Sequence, residues 1–212
     1  MVILRDYKVA AFMALSAMFT LTGYEFIRSA STVLFKSAYG ADKLPLVMAA
    51  MPVVVFFGVW IYSRLLSLLG PRRTLLVTSL GSGLSILACY LILLTGVKWI
   101  TPVLFLLKEF YIVLLIEQYW SYINSSLSST TAKRVNGPVK GIAGLGGAIG
   151  GTLVGATAGE YGAETMVLFA AIACLPAALV SNAGYVLFGE PEMPPRAATS
   201  DPMGWHLLKD NP

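Results

Sequence analysis

Hydrophobic residues in this chain come in six long runs, at about 9–36, 44–66, 73–95, 99–122, 138–159 and 164–188, separated by short polar interruptions. About 20 residues in a helix cross a bilayer, so each run is long enough to cross once. The pattern predicts an all-α membrane protein: six transmembrane helices bundled over residues 1–188, then a polar tail over 189–212. The interruptions carry turn chemistry: Tyr39-Gly40-Ala41-Asp42, Gly70-Pro71, Gly96-Val97-Lys98, Asn136-Gly137-Pro138 and Tyr161-Gly162. The first run is too long for a signal-peptide core, and no small-residue cleavage site follows it. It is expected to stay as a signal-anchor.

Composition agrees with the pattern. Of 212 residues, 57% are hydrophobic and 12% charged, with a mean hydropathy of +0.74. A soluble domain carries about a quarter charged residues, so a water-soluble enzyme is excluded, as is a disordered chain. Cys89 and Cys174 lie in apolar runs and read as small core residues, not as a bridge or a metal pair.

The net charge of +4 fits the excess of Lys and Arg on the cytoplasmic side of membrane proteins better than nucleic-acid binding. With a cytoplasmic N-terminus, that side holds Arg5, Lys8, Arg64, Arg72, Arg73, Lys133, Arg134, Lys140, Arg196 and Lys209. The other side holds Lys36, Lys43 and Lys98. Ten against three predicts both termini in the cytoplasm, and the missing transit peptide points to a bacterial inner membrane.

Two features stand out within the runs. Gly147, Gly151, Gly155 and Gly159 recur every fourth residue, which predicts a side-chain-free groove where another helix packs closely. The glycines around Gly144–Gly150 match neither the dinucleotide nor the P-loop spacing, so no phosphate loop and no cofactor are expected. In the tail, Glu190-Pro191-Glu192-Met193-Pro194-Pro195 reads as a linker. Trp205-His206-Leu207-Leu208-Lys209 reads as a short amphipathic stretch for the membrane surface, with no chemistry at His206.

The second feature is charge inside the spans. Ionisable groups are costly in hydrocarbon and usually face a cavity or a partner. Glu25 and Arg28 fall in the first run, and Lys108, Glu109 and Glu117 in the fourth. At 1.5 Å per residue, Glu25, Arg28, Lys108 and Glu109 come to similar depth near mid-membrane. Pairs such as Arg28–Glu109 and Lys108–Glu25 are therefore geometrically open. Lys108 and Glu109 are neighbours about 100° apart, so they are expected to point differently. Glu109, Glu117 and Trp120 form a stripe that reads as the wall of a wet passage. No His/Asp cluster, metal-ligand set or serine–histidine arrangement occurs in the spans, so no enzyme activity is expected.

Two stretches carry a family resemblance. One is Gly23-Tyr24-Glu25-Phe26-Ile27-Arg28 with Tyr39-Gly40-Ala41-Asp42-Lys43-Leu44-Pro45. The other is Glu117-Gln118-Tyr119-Trp120-Ser121-Tyr122-Ile123-Asn124 with Ala132-Lys133-Arg134 and the glycine-rich run. Together, over about residues 20–160, they resemble the non-mitochondrial nucleotide (ATP/ADP) translocase family of the major facilitator superfamily. Ser67-Leu68-Leu69-Gly70-Pro71-Arg72-Arg73 keeps the superfamily's glycine and basic pair, with Ser67 where an aspartate is usual.

The resemblance implies a six-helix bundle equal to one half of a twelve-helix transporter, its first and fourth helices lining the cavity. It also implies that Arg28 and Glu109 belong to the substrate route, the guanidinium being suited to phosphate. Alternating access needs two halves. The expected function is therefore transport of a small anionic or nucleotide-like solute by a half-size unit paired with a second six-helix half, as a homodimer or with a separate chain. The alternative is a non-transporting membrane subunit that scaffolds or assembles a larger complex.

Overall fold

The computed structural model describes residues 2–127 and 129–189. Beyond Gly189 the expected tail, with Trp205–Lys209 and His206, lies outside the described residues. Among those, the chain is almost entirely helical and has no strand. The elements are α1 (Val2–Tyr39), a 3-10 turn (Ala41–Lys43), α2 (Leu44–Ala49), α3 (Met51–Leu93), α4 (Ile100–Ser126) and α5 (Ser129–Phe188). Three stretches are long and apolar enough to cross a membrane: Arg5–Tyr39, Ala41–Leu93 and Thr131–Phe188.

The second and third of these are broken in the middle. Gly70 has φ 76° and ψ 170°, and Gly162 has φ 81° and ψ 167°. A side chain is strained in that region of backbone space, so glycine is the residue that supplies the turn. Pro71 follows Gly70 and lacks the N–H that a new helix start would leave unused. Each break folds its helix back on itself. Ile61 and Leu65 line the same cavity as Val77 and Gly81, and Tyr161 packs edge-on against Phe169 at 6.5 Å between centroids. α3 thus has arms over 51–69 and 71–93, and α5 has arms over 129–161 and 163–188.

α1 is the central rod. Its Ala10, Ala14, Ala17 and Ala30 are buried, and such small residues let neighbouring helices approach closely. On one side the first arm of α5 closes in: Thr22 donates from Oγ1 to the Gly146 carbonyl at 2.9 Å. On another side comes the second arm, whose Ala173 side chain meets the open position at Gly23. α4 takes a third side, with Tyr111 Oη donating to the Thr20 carbonyl at 3.0 Å. The two ends of the fold also join. Arg5 donates to the Phe188 carbonyl, and Tyr122 Oη donates to that of Gly189 at 3.2 Å. These donors satisfy carbonyls that the end of a helix leaves open.

One expected turn is absent. Asn136-Gly137-Pro138 lies within continuous helix, and α5 begins nine residues earlier than the run that starts at 138. Ala132, Val135, Val139 and Ala143 are buried and recur at helical spacing. That apolar row against the core holds the helix through the proline, which forfeits a single backbone hydrogen bond. Cys89 and Cys174 are both buried free thiols, and Cys174 packs where a side chain on Gly83 would stand.

Candidate functional site

α1 carries Glu25 and Arg28 three residues apart, a spacing that sets both side chains on one face. Arg28 donates from Nε and Nη2 to the same oxygen, Oε2 of Glu25, at 3.1 and 2.5 Å. The guanidinium side chain remains 52% exposed and the carboxylate 18%. The pair therefore lies on the outer face of the bundle, and one edge of Arg28 is left for another acceptor. Gly150 of α5 lies directly beside Glu25, and a Cβ there would stand 2.9 Å from that of Glu25.

On α4, Lys108 and Glu109 also pair with each other, Nζ to Oε1 at 3.2 Å. The cross-helix pairs Arg28–Glu109 and Lys108–Glu25 do not form among the described residues. Each charge finds its partner on its own helix, since a long lysine stem spans the angle between sequence neighbours. Lys108 is 6% exposed, and its ammonium lies 3.7 Å from the centroid of the Phe105 ring. The two helices' charges act across the gap between them: Arg28 is within electrostatic reach of Lys108, and Glu109 is within reach of Tyr24, the neighbour of Glu25. The four groups sum to zero charge.

Glu117 is exposed further along α4 and is within electrostatic reach of Tyr62 on α3. Half-buried Trp120 carries Lys140 of α5 over its ring at 5.2 Å. Lys140 belongs with this cluster, although by sequence it counts only as one of the ten basic residues of the cytoplasmic side. The structure thus brings Glu25, Arg28, Lys108 and Glu109 into one group, and places Glu117 and Trp120 in a second with Tyr62 and Lys140.

Among the described residues, no atom beyond their own stretch of helix lies within 4 Å of where a Cβ on Gly147, Gly151, Gly155 or Gly159 would stand. The close approach to α1 is made one position earlier, by Gly146 and Gly150, where added Cβ atoms would run into the Met18 and Thr22 backbone. The every-fourth-residue row is an open ridge beside the Glu25–Arg28 pair.

A hydroxyl network lies behind the charges. Ser16 donates to the Ala177 carbonyl at 2.7 Å, which leaves Tyr119 as donor to Ser16 Oγ at 2.6 Å. Tyr119 Oη also bonds Thr20 Oγ1 at 2.9 Å. The network joins α1, α4 and the second arm of α5. Its signal in the sequence is the i, i+4 spacing of Ser16 and Thr20 and the i, i+8 spacing of Tyr111 and Tyr119, hydroxyl rows within otherwise apolar runs.

Among the described residues the chain is a helical bundle with three helices of membrane-crossing length and apolarity, and with paired charges part way along two of its rods. No family model, curated protein or solved structure matches it.

Proposed function

We propose that this is a six-crossing, multi-pass membrane transport protein with both termini in the cytoplasm. In this reading each arm of α3 and α5 is one crossing, with α1 and α4 supplying the other two. The unit is half-size, of major-facilitator type, and pairs with a second six-helix half. Its substrate is a small anionic or nucleotide-like solute, in keeping with the resemblance to ATP/ADP translocases, and its place is a bacterial inner membrane. The role is transport and not catalysis.

The observation that carries this reading is the exposed Arg28–Glu25 pair. A guanidinium half open on the outside of a bundle is not stable against hydrocarbon, so water or protein must cover that face. A water-filled passage between two halves provides both, and the free edge of Arg28 suits an anion. Reconstituted vesicles test it. Arg28→Ala and Glu109→Ala should each abolish uptake while the protein stays folded; unchanged uptake overturns the assignment.

The open ridge at Gly147–Gly159 favours the second reading, a packing subunit of a larger membrane complex. Native mass spectrometry after mild extraction separates the two. A two-fold pair supports transport, and a defined unlike partner with no homodimer supports the subunit.

A further inference from the structure

A cavity of about 190 Å³ lies between the two arms of α3 and α4, and no charged side chain lines it. Ile61 and Leu65 wall one side, Val77, Gly81 and Ser82 the second, and Phe110 the third. It opens to the outside of the chain, where Ile61 and Val77 are exposed. The Thr78 hydroxyl in its wall donates to the Thr74 carbonyl at 2.8 Å, and Ser82 and Ser85 add two more hydroxyls to a lining that is otherwise apolar. Apolar cavities do not hold water well, and an empty one forfeits dispersion contacts along its whole wall. With the arms of α3 in a bilayer, the medium at the opening is hydrocarbon. A lipid chain is the occupant that fits.

The rim of the cavity supplies the second observation. Arg73, Val77 and Gly81 form one row at four-residue spacing on the second arm, and Arg64 stands three residues after Ile61 on the first. Both arginines lie toward the Gly70 turn, where the arms meet. Arg73 lies about 6 Å below Val77 at 1.5 Å per residue, the direction in which a chain seated in the cavity would reach its headgroup. Both are exposed. Arg72 is already engaged, donating to Asn182 at 2.9 Å. Arg73 has no hydrogen bond or ion pair among the described residues. Arg64 lies over the Trp60 ring at 5.5 Å, a stacking that leaves its N–H edge open to a phosphate.

We propose that this cavity is a binding site for one anionic phospholipid, an acyl chain lying between the α3 arms and α4 and the phosphate held by Arg64 and Arg73. The site rests on the membrane placement of the helices and not on transport, so loss of the uptake activity would leave it standing.

Native mass spectrometry of the full chain tests the site, after equilibration in bilayer discs of equal phosphatidylglycerol and phosphatidylcholine with matched acyl chains. The wild-type protein should keep one phosphatidylglycerol in preference to phosphatidylcholine by about tenfold or more, as two arginines beside an anionic headgroup supply. Joint Arg64→Gln and Arg73→Gln substitution on the surface should remove the preference, and Arg72→Gln should not. Gly81→Leu, which fills open space, should remove the retained lipid itself. Equal retention of both lipids by the wild-type protein overturns the proposal. So does a preference that survives the double arginine substitution with helix content unchanged, whatever Gly81→Leu does.

Discussion

Gly150 of α5 and Thr22 of α1 approach so closely that a Cβ on the glycine would stand 2.8 Å from the threonine carbonyl oxygen. One position along, Gly151 faces open space. Adjacent glycines of one helix therefore have opposite roles. Gly150→Ala must push two backbones apart and should destabilise by about 1–3 kcal/mol, as overpacked sites do. Gly151→Ala and Gly155→Ala should be neutral or stabilise by about 0.5–1 kcal/mol, because alanine loses less chain entropy in a helix. Thermal unfolding of the three variants in one detergent gives the comparison.

The Lys108–Glu109 pair makes an asymmetric prediction. Lys108 is buried and Glu109 is partly exposed. Glu109→Gln leaves a buried ammonium without its counter-charge and should destabilise on the order of 2 kcal/mol, below the usual range for a fully buried pair because Glu109 is partly open. Lys108→Met keeps the stem against Phe105 and removes the charge, so it should be close to neutral. The double substitution should recover most of the loss. Midpoint temperatures of the four proteins form the cycle that checks this.

Tyr119 is the hub of the hydroxyl network, but its partners have other acceptors. Ser16 donates to the Ala177 carbonyl, and the Thr20 proton, freed from Tyr119, turns to the Ser16 carbonyl at 3.1 Å. Tyr119→Phe should therefore cost about 1 kcal/mol, the net value of an ordinary hydrogen bond. Ser16→Val removes the donor to Ala177 and adds a methyl in a fully buried site, so it should cost more. Chemical unfolding measured on both variants orders them.

Much of the helical layout is legible in the sequence, for reasons that single residues make clear. Gly70-Pro71 reads as a turn because a glycine free to adopt positive φ stands before a proline suited to a helix start, and the chain breaks there. Asn136-Gly137-Pro138 has similar local chemistry, yet the helix runs through it. What differs is the buried row at Ala132, Val135, Val139 and Ala143, a tertiary effect that turn chemistry does not report.

The candidate site is legible to a lesser degree. The ionisable residues of α1 and α4 can be picked out by their cost in hydrocarbon. Their partners cannot, because a flexible lysine stem reaches a neighbour that helical geometry alone would turn away. The glycine row has the right composition but lies one position from the face that meets α1. Helical period fixes relative faces and leaves absolute rotation to packing.

The central claim is that the charged face of α1 and α4 meets water within the membrane. Thiol accessibility in intact proteoliposomes, with Cys89 and Cys174 replaced by Ala, tests it most directly. Single cysteines at Arg28 and Glu117 are compared with cysteines at Leu84 and Leu179, residues 67% and 66% exposed on apolar surface. A charged, bilayer-impermeant maleimide should label positions 28 and 117 and leave 84 and 179 unmodified. Silence at 28 and 117, or labelling no greater than at the two leucine positions, would contradict the account.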